Sequence, residues 1–161
     1  MVVLKGMDSL EIKTETKTYY FPLDRYYFTQ KAGHIWLKQQ NDHFEVGFDD
    51  FGQSQGPILH IRTRPIGKIF PQGKAFGTVE TNKFIGQLGL PLSASISEVN
   101  SEVIDNPQLI NDHPYTQWIV LIKPTPFEEE ITSSFIIPQG DKAKLKEYII
   151  SELIKYEDPP I

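Results

Sequence analysis

Short β-prone runs separated by turn-forming residues extend over residues 19–123, and this pattern constrains the fold more than any other feature of the chain. Each run is rich in β-branched or aromatic residues and is bounded by Gly, Pro, Asn or Asp, as expected of strands joined by tight connections. The resulting pattern predicts a mostly β domain, barrel-like or sandwich-like. The predicted strands are 34–39, 44–48, 58–62, 76–80, 93–99 and 118–122.

Helical signals interrupt this β pattern twice and follow it once. Short helices are predicted over 49–55 and over 100–109, the second with Asn100 as its N-cap. Within residues 141–156, apolar residues recur at helical spacing, which predicts an amphipathic helix that packs on the β-core. The apolar side of that helix comprises Leu145, Tyr148, Ile149, Leu153 and Ile154.

Three segments are expected along the chain. Residues 1–18 are polar and charged, and we expect a flexible N-terminal tail there. Residues 19–124 contain the predicted strands and form the β-domain. Residues 125–161 form a C-terminal extension that holds the predicted helix.

Charge and composition exclude several classes of function. The 161 residues carry a net charge of −5, which argues against a general nucleic-acid binder and against adsorption to anionic lipid. The absence of cysteine excludes disulfides and thiolate metal sites. No run of 18 apolar residues and no signal-peptide core is visible, so we expect a cytoplasmic protein without a membrane span.

The familiar catalytic motifs are missing from the sequence. The four histidines, His34, His43, His60 and His113, form no spacing typical of zinc ligands. No Gly-x-Ser-x-Gly nucleophile elbow, phosphate-binding glycine loop or dinucleotide fingerprint is present. The sequence therefore predicts a protein that is not itself an enzyme.

The segment from Glu80 to Lys83 lies between two β-prone runs. Asn82 tolerates the left-handed conformations that tight turns require, so a hairpin turn is predicted here. Such a turn would hold the amine of Lys83 away from the body of the domain. Exposed lysines in turns are common, so this feature alone is weak evidence for a modification site.

The wider sequence over residues 34–124 resembles the H protein of the glycine cleavage system. Family members have a His-x-Trp motif, a Val-Gly-x-x-Asp motif and a lipoylation motif Val-Glu-Ser-x-Lys. The matching stretches are 34–36 (His-Ile-Trp), 46–50 (Val-Gly-Phe-Asp-Asp) and 79–83 (Val-Glu-Thr-Asn-Lys). Downstream, 107–111 (Pro-Gln-Leu-Ile-Asn) and 112–115 (Asp-His-Pro-Tyr) fall in the family's order.

The resemblance implies a flattened β-barrel of the lipoyl/biotinyl type, a barrel-sandwich hybrid. It also implies that Lys83 carries lipoate in amide linkage, that Glu80 is read by the lipoate-attaching enzyme, and that His34 lines a surface contacted by the lipoyl arm. The implied partners are lipoate ligase or lipoyl-synthesis enzymes. They also include glycine decarboxylase, aminomethyltransferase and dihydrolipoamide dehydrogenase, between which the arm would shuttle a covalent intermediate and electrons.

Several departures from the family leave alternatives open. After the lysine, the family usually has small residues followed by Ser-Asp, whereas this chain has Phe84-Ile85-Gly86-Gln87. That stretch resembles the H-protein-like lipoate-binding proteins of sulfur oxidation, which serve a heterodisulfide-reductase-like complex, so both pathways remain open. A biotin carrier normally has Met on both sides of its lysine, where this chain has Asn82 and Phe84. A non-lipoylated interaction module is a minor alternative, disfavoured by the intact Glu80 and Lys83.

Overall fold

The computed structural model describes residues 8–161, which form three antiparallel β-sheets and five helices. The strands are β1 (Ser9–Lys13), β2 (Thr18–Pro22), β3 (Tyr26–Phe28), β4 (Ile35–Gln40), β5 (His43–Phe48), β6 (Ile58–Thr63), β7 (Ile69–Phe70), β8 (Ala75–Thr81), β9 (Ile85–Gly89), β10 (Ala94–Val99), β11 (Val120–Pro124) and β12 (Ile136–Ile137). The helices are α1 (Asp50–Gln53), α2 (Ser101–Asp105), α3 (Gln108–Asp112), α4 (Glu128–Ile131) and α5 (Lys142–Lys155). Within this described range, no helix combines the length and apolarity needed to cross a bilayer.

Two sheets enclose the main core. A seven-stranded sheet has the order β12-β3-β4-β5-β11-β10-β7, and a three-stranded sheet has the order β6-β8-β9. Val46 and Ile122 of the larger sheet lie in the same buried apolar cluster as Ile61, Val79 and Leu88 of the smaller one. The result is a mostly β, flattened barrel-sandwich with a C-terminal helix, which confirms the predicted fold class.

Alternation along the strands decides which side chains enter this core. In β8, Val79 and Thr81 point inward and are buried, whereas Thr78 and Glu80 are half-buried on the other face. Fully burying a valine side chain stabilises the fold by roughly 1.5–3 kcal/mol, so a one-residue slip of β8 would be costly. The core therefore fixes the direction in which Glu80 points.

The expectation of a flexible tail over residues 1–18 is wrong for residues 9–18. Strands β1 and β2 pair as an antiparallel hairpin, with Leu10 opposite Phe21 and Ile12 opposite Tyr19. All four of these side chains are buried. The segment reads as polar because charged residues occupy the alternate, outward positions of β1. Residues 1–7 of the expected tail lie outside the described residues.

The predicted helix over 100–109 is divided into α2 and α3. The division falls at Pro107, which lacks a backbone N–H and disfavours a helical conformation in the residue before it. The predicted helix over 49–55 is shorter, running over Asp50–Gln53, and Oδ1 of Asp49 caps it by accepting from the Gly52 amide at 2.8 Å. Local chain chemistry thus sets the bounds of the short helices.

Helix α5 forms close to its predicted position, with Asp141 as its N-cap. Its buried side chains, Leu145, Ile149 and Leu153, join a second apolar cluster with the β1–β2 hairpin. The prediction that Ile154 belongs to this buried side is wrong, because Ile154 is 58% exposed. At 100° per residue, Ile154 projects about 140° away from Ile149 around the helix axis.

A buried histidine also attaches α5 to the β-core. The Nδ1 atom of His34 lies 3.0 Å from Oδ2 of Asp49, and its Nε2 atom lies 2.9 Å from Oε1 of Glu152 on α5. Burial by itself lowers the pKa of His34, but the carboxylates of Asp49 and Glu152 outweigh burial and raise that pKa to about 9. The imidazole is therefore protonated at neutral pH, and both of its nitrogens donate hydrogen bonds.

This arrangement predicts a stability loss at alkaline pH. Since the folded-state pKa of His34 lies above the ordinary 6.5, its contribution is complete below about pH 6.5 and is lost as pH rises through 9. We expect the free energy of unfolding to fall by on the order of 3 kcal/mol across that window. Urea denaturation at a series of pH values measures this change.

The matched variant is His34→Gln, which cannot titrate in this range. It should be less stable than wild type at pH 6.5 and should lack the wild-type slope between pH 7 and 10. A variant with the same slope as wild type would show that other groups cause the loss.

Candidate functional site

The β8–β9 hairpin ends in a closed four-residue turn. The amide of Thr81 donates to the carbonyl of Phe84 at 2.9 Å. The hydroxyl of Thr81 accepts from the amides of Lys83 and Phe84, at 3.2 and 3.3 Å. Because Thr81 is itself buried, the turn is anchored to the body of the domain from inside. The predicted turn is therefore present, and a threonine stiffens it.

Lys83 lies at the tip of this turn and is exposed. Within residues 8–161, its ammonium group takes part in no salt bridge. The backbone of Lys83 is held by Thr81, whereas its four-carbon side chain is free to extend into solvent. The backbone of Lys83 therefore has a fixed position, while the amine at the end of its side chain can move.

Glu80 precedes the turn on β8 and faces outward. Its side chain is 30% exposed, and one of its carboxylate oxygens lies 4.0 Å from Nε2 of His60 on β6. A partly exposed pair at this distance contributes little to stability. The carboxylate therefore remains accessible to another protein that approaches the hairpin.

A cavity of about 430 Å³ opens beside Lys83. Its walls are mainly apolar, and they bring together the hairpin, the segment around α1 and the residue that follows α5. Polar groups reach it from Gln55 and Gln87. The apolar wall residues include Phe48, Phe51, Val79, Phe84 and Tyr156.

His34 also lies in the wall of this cavity. Its ring centroid is 4.5 Å from that of Phe51 and 5.4 Å from that of Tyr148. Because both ring nitrogens are bonded to Asp49 and Glu152, His34 has no free nitrogen to offer a ligand. The structure brings His34 to the same cavity as Lys83, whereas Glu80 is not among the cavity's wall residues.

Sequence reasoning did not identify Phe51, Gln55 or Tyr156 as members of this site. Tyr156 follows α5, and its ring centroid lies 5.3 Å from that of Phe51. No local pattern connects a residue near the C-terminus to the hairpin around Lys83, because packing of α5 brings them together. Phe51 and Gln55 fall in a segment whose helical pattern predicts only a short helix.

Comparisons with known proteins identify the family of this chain. The family model described as "Glycine cleavage H-protein" matches residues 25–147. "Probable glycine cleavage system H protein 3" of Sulfurisphaera tokodaii is 34% identical over 137 residues, covering 84% of this chain and 95% of that protein. "Glycine cleavage system H protein 2" of Aquifex aeolicus is 35% identical over 136 residues, covering 81% of each chain.

A solved structure shares the fold. The crystal structure of a glycine cleavage system H protein from Mycobacterium marinum aligns with a TM-score of 0.65 and 24% identity, covering 79% of this chain and 99% of that one. Together, the family model and the relatives show that the chain belongs to the glycine cleavage H-protein family of lipoyl carriers, whose members hold lipoate covalently on a lysine.

Proposed function

We propose that Lys83 is the lysine on which this carrier holds its lipoate, and that the lipoyl arm serves the enzymes of glycine cleavage. The observation that supports the assignment is the exposed amine of Lys83 on an anchored turn beside an apolar cavity. A primary amine forms a stable amide with a carboxylic acid, and the modification removes the positive charge.

The lipoyl group, when bound, supplies a disulfide that opens reductively to accept a transferred group and is later reoxidised. The residues around Lys83 determine where such an arm can rest. Phe48, Phe51, Val79 and Phe84 offer an apolar surface that fits an aliphatic chain ending in a dithiolane. His34 would contribute the face of its ring to this surface, since both of its ring nitrogens are hydrogen-bonded to Asp49 and Glu152.

In this proposal the chain is a substrate of its partner enzymes and catalyses no step itself. The family's partners are lipoate ligase, glycine decarboxylase, aminomethyltransferase and dihydrolipoamide dehydrogenase. Tethering raises the effective concentration of the reactive group at each partner, so no intermediate is lost by diffusion. Cytoplasmic placement remains a prediction of the sequence.

Replacing the amine should abolish lipoylation. Intact-mass analysis after incubation with lipoate, ATP and a lipoate ligase should show one added lipoyl group on wild type and none on Lys83→Ala. The control, Lys123→Ala, removes an exposed lysine on β11 and should be modified like wild type. Because Lys83 is exposed, Lys83→Ala should change the free energy of unfolding by less than about 0.5 kcal/mol. Modification of Lys83→Ala would refute the assignment.

Neutralising Glu80 should slow the attachment without preventing it. A lost hydrogen bond to a charged group corresponds to at least about a tenfold decrease in kcat/KM for lipoylation of Glu80→Gln. Glu98→Gln, which neutralises an exposed carboxylate on β10, is the matched control and should react at the wild-type rate. Equal rates for the two variants would mean that the enzyme does not read Glu80.

The second candidate pathway is sulfur oxidation, with a heterodisulfide-reductase-like complex as partner. The stretch Phe84-Ile85-Gly86 resembles that branch, and Gln87 lines the cavity at the position where glycine cleavage H proteins usually have an aspartate. We expect the fully lipoylated chain to take up label from glycine labelled at its α-carbon in the presence of glycine decarboxylase, because the carboxyl carbon leaves as CO2 and the aminomethyl group is transferred to the arm. Lys83→Ala should take up none. Absence of label on lipoylated wild type would instead favour the sulfur pathway.

A further inference from the structure

Charge is unevenly divided along the chain. Residues 51–97 contain five Lys and Arg residues and one acidic residue, Glu80, which gives this segment a net charge of +4. The whole chain has a net charge of −5, so the remainder is strongly acidic. The basic segment contains the entire β6-β8-β9 sheet that presents Lys83.

Four basic side chains of this segment are exposed and are called here the basic face: Arg62, Arg64, Lys68 and Lys74. Arg62 and Arg64 line one shallow depression together with Ala75, the neighbour of Lys74. Arg64 and Lys68 both lie over the ring of Phe70, at 5.1 and 5.6 Å from its centroid. Nε of Arg64 also donates to the carbonyl of Ala75, the residue after Lys74, at 2.7 Å.

The basic face continues to the lysine hairpin across the small sheet. Arg62 on β6 pairs with Thr78 on β8, which pairs in turn with Gln87 on β9. Gln87 lines both a shallow depression shared with Arg62 and Arg64 and the cavity that contains Lys83. A protein that covers Lys83 can therefore also reach the basic face.

Exposed apolar side chains belong to the same small sheet and its turn. Leu59 is 45% exposed, Phe84 is 39% exposed and Ile85 is 69% exposed. Leu59 lies on the edge strand β6, and Phe84 and Ile85 directly follow Lys83 in the chain. Exposed aliphatic and aromatic side chains together with arginine are typical of protein–protein interfaces. Surfaces that bind the phosphate backbone of nucleic acids rely on polar and basic groups instead.

We propose that the basic face and these apolar residues dock onto an acidic surface of the enzyme that attaches the lipoyl group to Lys83. The inference rests on the proposed function of Lys83. Before modification, the amine is no farther from the turn than the length of a lysine side chain, so the attaching enzyme must approach the sheet closely. Enzymes that act on the far end of the finished arm have its additional length and need no such contact.

The test is the salt dependence of lipoylation of the full chain by a lipoate ligase that modifies wild type. Electrostatic steering between opposite charges weakens as salt screens them. We expect kcat/KM for wild type to fall about tenfold between about 20 mM and about 500 mM NaCl. The double variant Arg62→Glu/Lys74→Glu should be about tenfold slower at low salt and nearly independent of salt.

The matched control is Lys142→Glu/Lys144→Glu, which makes the same change in net charge on exposed positions of α5. It should be lipoylated at the wild-type rate. Arg62→Lys, which keeps the charge, should also react like wild type. A wild-type thermal unfolding transition would show that the face variant is folded. Complete lipoylation at long times would show that its Lys83 is accessible.

Three outcomes would overturn the docking proposal while leaving Lys83 as the attachment site. One is a wild-type rate that does not change with salt, and another is equal slowing of the face and helix variants. The third is an unchanged lipoylation rate for the face variant. If that variant also loses self-association or binding to anionic vesicles, the basic face binds a second copy of the chain or a membrane instead. Wild type that never accepts a lipoyl group would remove both this proposal and the proposed function.

Discussion

Two hydrogen bonds accepted by the Thr81 hydroxyl, from the amides of Lys83 and Phe84, hold the turn on which the rest of the site depends. Thr81 points inward because strand alternation in β8 buries it together with Val79. The core of the barrel therefore fixes the backbone of Lys83, while the lysine side chain stays free. In the proposed function, partner enzymes would meet a rigid hairpin, and the mobility of the carrier would reside in the lysine side chain and the arm attached to it.

The C-terminal helix places part of the cavity wall. Leu145, Ile149 and Leu153 pack α5 on the second apolar cluster, and the His34 pair with Glu152 adds an ionic contact at the cavity wall. Tyr156, directly after the helix, contributes to the apolar wall of the cavity that Lys83 also lines. The cavity wall therefore includes a long-range contact between His34, which directly precedes β4, and Glu152 of α5.

Much of the fold and part of the site can be predicted from the sequence, because those features are local. Lys83 and Glu80 belong to one continuous motif, in which Glu80 takes its outward direction from alternation along β8 and Lys83 lies in the turn that follows. Strands β7 and β12 have two residues each, too few for any period to be visible. The β1 strand resembles a polar tail because its outward positions are charged. Tyr156 enters the site through tertiary packing alone, which no pattern around it encodes.

The most direct test of this account is peptide mapping of the protein purified from its own cells. Tandem mass spectrometry should place a lipoyl group on the Lys83 side chain, and acylation there should block tryptic cleavage between Lys83 and Phe84. The flanking lysines, Lys74 and Lys123, should be unmodified and cleaved. A lipoyl group found on another lysine, with unmodified Lys83, would contradict the account.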